Sequence, residues 1–318
     1  MKETTVTNLG KQKNPKELSP SKFRKNKVGL GAVNRRWAII SLVPVAGLLF
    51  IFLALPAMYS IWLSFNKWPG IGTTKFVGTQ NYETLFEEGR LAESIRITLL
   101  YTFTTSFLIV GIALLLAFAV SSNMKGSRFF RVVWFFPGVA PPAAVAIFWS
   151  LGFQPDIGVV NSVMGLFGLP SDTQWLAESA TVMGPVIFAG IWIGVGFAFL
   201  VLLGAVEGID VSLREASMID GASRRQQLTQ IVIPLIGPVL FTILTLQLIW
   251  NFNGFNLVFA MTDGGPGRSS EILPIFTYIE AFRFGRFGTA SAAAVIGAIF
   301  LLILGWLGIR MSRSRQLD

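Results

Sequence analysis

Four carboxamides, Gln247, Asn251, Asn253 and Asn256, stand in an otherwise apolar stretch of the chain. An amide neither transfers a proton at neutral pH nor attacks a carbonyl; it offers donors and an acceptor to another neutral polar group. In apolar surroundings each must find a helix partner, water or a ligand, because an unpaired buried amide is costly. Gln247 and Asn251 are four residues apart and would share one face of a helix, with Asn253 on another. Interhelical hydrogen bonding and contact with a solute both stay open for each amide. Trp192, Phe197 and Phe252 are aromatic faces on which a sugar ring could stack, but aromatic residues are common in spans and core packing is the better account of each. Side chains for other chemistries are missing. The sequence has no Cys and no His, which removes thiolate nucleophiles, imidazole bases and the usual zinc ligands. No catalytic residues and no metal site are expected, and no G-x-x-x-x-G-K-[ST] phosphate loop occurs.

A second polar cluster occupies residues 207–235. It is expected to fold as a short helix, a glycine break and a second helix. Ser212 and Glu215 have the S-x-x-E spacing of a capping box, which predicts a helix starting at Ser212. Ala216 and Ser217 are small enough for another protein to approach the backbone, and Gly221 suits a helix end. Leu228, Ile231 and Ile233 form an apolar face ahead of Pro234, which is expected to stop the segment. An amphipathic connector lying on a membrane surface fits the same residues.

The elements that position these groups follow from where charge is absent. Only 14% of residues are charged and 53% are hydrophobic, with mean hydropathy +0.62; soluble domains carry about 25% charged residues. Six uncharged intervals, 37–66, 97–124, 132–155, 179–206, 226–262 and 287–309, each exceed the roughly 20 residues that cross ~30 Å of hydrocarbon as a helix. They are apolar on every side, unlike the alternating strands of a barrel. The expected architecture is an all-α membrane protein with six spans over about 37–65, 95–122, 130–151, 182–206, 237–260 and 288–309. Pro137, Pro141 and Pro142 should kink the third. Small residues at Gly190, Gly194 and 290–297 should allow close helix contact. The first apolar run is expected to stay as a span rather than be cleaved, because no small-residue cleavage site follows a short apolar run.

Residues 1–36, 123–131, 207–225 and 310–318 hold 19 of the 26 Lys and Arg residues. Such a bias places both termini in the cytoplasm; 1–36 and 311–318 are read as basic tails, the first disordered, and 37–310 as one membrane domain. The net charge of +9 is then a topology signal, and no nucleic-acid partner is expected. The acidic segment 156–178 and the Gly264–Gly267 turn fall on the opposite side, as surfaces for a partner or as solvated connections. No ionisable residue lies within the uncharged intervals, which disfavours an ion-coupled carrier and an intramembrane enzyme.

Glu215-Ala216-Ser217, Asp220-Gly221-Ala222, Ile231 and Pro234 resemble the EAA loop of ABC importer permeases, E-A-A-x-x-D-G-A…I-x-L-P, with Ser217 for the second Ala and Ile233 for Leu. Phe129-Phe130-Arg131, Phe136-Pro137, Phe153-Gln-Pro155, Trp175-Leu176, the run from Leu257 to Pro266, and Phe287-Gly288 continue the likeness. The chain thus resembles the carbohydrate subfamily, and within it the larger, maltose-type permease subunit. The resemblance implies a type I ABC importer permease fold with a cytoplasmic coupling helix between the fourth and fifth spans. It implies that Glu215, Ala216, Ser217, Asp220, Gly221 and Ala222 meet an ATPase. It implies a solute path at Ile193, Gly194, Phe197, Gln247, Asn251 and Gly254. In that family Gln247 stands for a smaller hydroxyl residue, Phe197 for a tyrosine and Gly254 for an amide, so maltose itself is not implied. The implied partners are a second permease forming a pseudo-twofold heterodimer, two cytoplasmic ATPase subunits that bind ATP and Mg, and an extracytoplasmic solute-binding protein. No cofactor is expected in this chain. The implied place is a bacterial-type cytoplasmic membrane, and the implied cargo a sugar or oligosaccharide, with glycerol phosphate or a polyol as the alternative.

Overall fold

The computed structural model describes residues 35–121 and 126–314. The expected basic tail over 1–36 falls outside them up to residue 34, as does the end of the second tail from residue 315. Two compact units meet in sequence at Pro56. In the first, the described residues form α1 (Arg35–Leu49) and a π-helical segment Phe50–Ala54, where α2 (Leu55–Ser64) begins.

The second unit begins at Ala57 within α2 and continues with a two-residue antiparallel pair, β1 (Asn66–Lys67) and β2 (Lys75–Phe76), and α3 (Gln80–Glu87). Then come the 31-residue α4 (Arg90–Val120), α5 (Ser127–Phe135), α6 (Pro142–Gly152), α7 (Val159–Leu166) and the 25-residue α8 (Met183–Glu207). α9 (Val211–Ile219) and α10 (Arg224–Gln226) lead through a π-helical segment, Gln227–Val232, into α11 (Ile233–Leu235) and α12 (Gly237–Phe252). α13 (Phe255–Thr262), α14 (Leu273–Tyr278), its π-helical continuation Ile279–Arg283 and α15 (Phe287–Ser314) complete the chain.

Among the described residues, Leu42–Ser64, Arg90–Val120, Met183–Glu207 and Phe287–Met311 are each long and apolar enough to span a membrane. Two bent pairs raise the number to six: α5 with its 3-10 extension against α6, at 99°, and Arg224–Leu235 against α12, at 79°. The first bend has the expected cause, since Pro137 opens a 3-10 turn, Phe136–Val139, and Pro142 starts a new helix. The second corrects the expectation for Pro234. That proline is absorbed behind the π-helical turn, which shifts the carbonyl its ring would strike. The break falls instead at Ile236, and Pro238 sits in the first turn of α12, where a missing N–H is harmless.

α4 and α8 make the most extensive helix contact. Ile109, Ala113, Ala117, Phe199, Leu202 and Val206 are fully buried around it and extend to Ile243 on α12. The glycines behave as expected: a Cβ on Gly190 would come 2.9 Å from the Tyr101 hydroxyl, and one on Gly194 would overlap the tip of Ile109. Ala290, Ala292 and Ala293 of α15 are buried too.

The N-terminal end of α4 holds a feature not foreseen. Arg90 is distant in sequence from 268–286, yet its Nε and Nη2 grip Glu271 at 2.9 Å each and its Nη1 donates to Glu280 at 2.6 Å. Ser94 adds a bond to Glu271 at 3.2 Å, and the guanidinium lies over the Phe276 ring at 4.8 Å. Glu280 is wholly buried and Glu271 nearly so. Burial pushes the Glu280 carboxyl above the usual carboxylate range, while Arg90 and then Arg286 draw it back. One guanidinium thus fastens the start of α4 to α14 and its continuation. Removing it leaves buried Glu271 with Ser94 alone and buried Glu280 with the more distant Arg286 at 3.7 Å: Arg90→Ala is expected to cost about 3–5 kcal/mol, read as a lowered unfolding midpoint in detergent. Adding Glu271→Gln and Glu280→Gln should recover most of the loss.

Candidate functional site

A cavity of about 390 Å³ opens where α4, α8, α12 and α13 converge beside the bend between α5 and α6. Its wall brings together all six residues implied for a solute path: Ile193, Gly194 and Phe197 from α8, and Gln247, Asn251 and Gly254 from α12 and the break that follows. Tyr101, Gly138, Gly190 and Trp250 complete much of the remaining wall. Among the described residues its lining contains no Asp, Glu, Lys or Arg.

The two face-sharing amides are both buried and both tied to neighbouring helices. Asn251 Nδ2 donates to Ser106 Oγ at 2.9 Å on α4, and Gln247 Nε2 donates to the Gly194 carbonyl on α8 at 3.4 Å. Interhelical bonding therefore accounts for one donor of each, with the remaining donor and the carbonyl oxygen available to the cavity. Asn253 departs from the helical expectation. α12 ends at Phe252, so Asn253 and Asn256 also reach the cavity wall, from the break and from α13. Of the three aromatic candidates only Phe197 lines it, edge-on to Trp250 with ring centres 5.2 Å apart. Trp192 packs with Phe148 and Trp149, and Phe252 stacks on Phe300. Sequence reasoning missed Tyr101 and Trp250. The signal for Trp250 was its position beside Asn251; for Tyr101 it was a lone phenol in a span.

The 207–235 loop departs from its predicted cap. α9 begins at Val211, and the cap is Asp210, whose Oδ1 accepts from the Ser212 N–H at 2.9 Å. Glu215 is exposed and caps nothing. Those backbone and side-chain bonds from Ser212 hold the Asp210 carboxyl below its usual range. The capping box belongs to the next helix, to Ser223 and Gln226 at the head of α10. Gly221 does end α9. With φ +79° it allows a Schellman closure, Ala222 N–H to Ser217 O at 2.9 Å and Gly221 N–H to Met218 O at 3.1 Å.

Glu215, Ala216, Asp220 and Gly221 are exposed, Ala222 is half-buried, and Ser217 is buried with its hydroxyl donating to the Arg214 carbonyl at 2.7 Å. Val211, Met218 and Ile219 of α9 also lie exposed, Ile219 at 86%. Beside them Arg214, Glu215, Arg224 and Gln227 line a second cavity of about 430 Å³, flanked by Glu207, which pairs with Arg131.

Residues 109–314 match the family described as "Binding-protein-dependent transport system inner membrane component". A multiple sugar-binding transport system permease protein, MsmF, of Streptococcus mutans is 29% identical over 89% of this chain and 97% of its own. An sn-glycerol-3-phosphate transport system permease protein, UgpA, of Salmonella typhi is 31% identical over 85% of this chain and 91% of its own. In three dimensions a subunit of a bacterial ABC transporter involved in import of the acidic polysaccharide alginate superposes with TM-score 0.77 at 24% identity. The superposition covers 88% of this chain and 96% of that one.

The local assignment of the cap has its own check. Asp210→Ala should speed amide hydrogen exchange at Ser212 several-fold and leave α10 unchanged, whereas Ser212→Ala should change neither. Because the Asp210 carboxyl is held low, its cap is complete above the ordinary carboxylate range and is lost as pH falls through the depressed value.

Proposed function

We propose, from the premise that this chain belongs to the binding-protein-dependent transport system inner membrane components, that it is the permease subunit through which an uncharged carbohydrate crosses the membrane. The observation that carries this is the uncharged wall of the 390 Å³ cavity, within the range that holds small ligands. Buried amides at Gln247 and Asn251 supply hydrogen bonds, and the Phe197–Trp250 pair gives an apolar surface for a ring face. Likeness to a multiple-sugar permease supports the same class.

Likeness to the glycerol-phosphate permease favours a second reading, an anionic solute. A phosphate needs cationic or backbone donors at close range, and no Lys or Arg lines this cavity. Neutral cargo is therefore the better fit, with an oligosaccharide or a polyol inside that class.

Transport by alternating access requires energy from elsewhere. In our reading α9 is the coupling helix: Glu215, Ala216, Ser217, Asp220, Gly221 and Ala222 meet an ATPase subunit, two of which bind ATP and Mg in trans, so that this chain does no catalysis. Exposed Val211, Met218 and Ile219 support a covered interface there, since apolar patches on an exposed helix mark contact surfaces. The assembly is completed by a second permease in a pseudo-twofold heterodimer and a solute-binding protein outside. Both termini then lie in the cytoplasm of a bacterial-type cell, on the side of α9 that the excess of Lys and Arg marks.

Two substitutions test this assignment in transporter reconstituted with its ATPase and binding protein. A Cβ on Gly221 meets nothing within 4 Å in this chain, so a side chain there obstructs only a partner. Gly221→Asn keeps the left-handed backbone and is expected to fold normally while losing most transport-linked ATPase activity; full activity would remove α9 from the coupling role. Asn251→Ala should lower solute transport about tenfold, by one to two lost hydrogen bonds. Ser106→Ala, which breaks the same interhelical bond but keeps the amide, should cost much less. Equal losses would assign Asn251 to packing alone.

A further inference from the structure

Tyr101 is 1% exposed, yet it lines the cavity. Its ring sits among Ile97, Val186, Ala189 and Leu257 in the core. Two glycines from two other segments clear its place. A Cβ at Gly190 on α8 would fall 2.9 Å from the hydroxyl oxygen, and one at Gly254 would fall 2.9 Å from Cε1 and 3.4 Å from that oxygen. The hydroxyl has no hydrogen-bond partner among the described residues, and the hydroxyl of Thr105, whose side chain also faces Gly190, is unpaired as well. Asn251 gives its Nδ2 donor to Ser106; Thr98 donates to the Ser94 carbonyl and accepts from the Leu273 N–H. A phenylalanine would fill the same ring space without carrying a polar oxygen to the cavity wall. The packing accounts for the ring, and the oxygen at its tip is left for what enters the cavity.

We infer that the Tyr101 hydroxyl is a specificity-determining group that exchanges a hydrogen bond with one hydroxyl of the solute. This rests on the cavity being the solute's path, as proposed above. A phenol both donates and accepts, and so does a sugar hydroxyl, so the pair is matched in either sense. Helical geometry and the two glycines hold the ring in one place, so the position of the bond is fixed by the protein. A site built to bond a hydroxyl rejects an analogue lacking it far more strongly than an apolar pocket rejects a missing methylene. Tyr101 therefore selects for a hydroxyl at one position on the ring, beyond the general preference for polarity that the amides give.

The test uses the complete transporter with its ATPase and binding protein in proteoliposomes, wild type against Tyr101→Phe. Uptake of maltose, maltotriose, raffinose and stachyose is measured first, and the sugar carried fastest, with its monodeoxy analogues, serves as the probe. Tyr101→Phe should lower the maximal rate roughly five- to tenfold, the loss of one hydrogen bond, at an unchanged half-saturating concentration of loaded binding protein. One deoxy analogue should slow the wild type by a similar factor and slow Tyr101→Phe no further. The variant's unfolding midpoint should stay at or above that of the wild type, because it loses an unmatched hydroxyl and no cavity wall. Equal rates for the two proteins overturn the inference. So does a slowed variant that still discriminates every analogue as the wild type does, or one whose midpoint falls with its rate, since either makes Tyr101 a packing residue. Wild-type complexes that carry none of the four sugars overturn the oligosaccharide assignment, and the inference of a ring-hydroxyl contact with it.

Discussion

α4 lies close against α8 because Gly190 and Gly194 remove the side chains that would hold the two helices apart. Hydrocarbon gives apolar helices little reason to prefer one another over lipid tails, so association depends on intimate packing and interhelical hydrogen bonds. The glycines supply the first and the Asn251–Ser106 and Gln247–Gly194 bonds supply the second. The same approach seats Ile109 against Gly194 and Tyr101 against Gly190, and so fixes one wall of the cavity.

A segment surrounded by lipid must satisfy its own backbone, and helices do that best where they are unbroken. Among the described residues, two of the helix breaks adjoin the cavity: the Pro137–Pro142 elbow and the Asn253–Gly254 interruption between α12 and α13. Gly138 lies on the first and Asn253 and Gly254 on the second. Irregular backbone in a membrane protein is tolerated where it faces protein or a polar cavity, and these breaks follow that rule. Another, at Ile236, separates the α9–α11 region from α12.

Much of this was legible in the sequence because hydrophobic length, small-residue spacing and proline positions act locally. The amides Gln247 and Asn251 share a face as their spacing requires. What was not legible depended on where helices stop. Asn253 reached the cavity because α12 ended one residue before it, and a periodicity argument carries no information past a helix end. Ser212 and Glu215 have the right spacing for a capping box, but Asp210, two residues earlier, is an equally good cap and reached the backbone first. Arg90 was invisible as a partner of Glu271 and Glu280, because about 180 residues separate them and charge pairing at that range is decided by topology alone.

The sorting of charge in the second unit has an electrical consequence. Arg90, Glu271 and Glu280 are gathered at one end of α4, while the described residues of the cavity wall carry no formal charge. Moving one elementary charge through a membrane potential of 100 mV involves about 2.3 kcal/mol of work. A neutral cargo passing a neutral wall involves none. Polarisation of the cell envelope then neither drives nor opposes each turnover, and a cell whose voltage has collapsed could still feed through such a path as long as its phosphate-bond energy lasts.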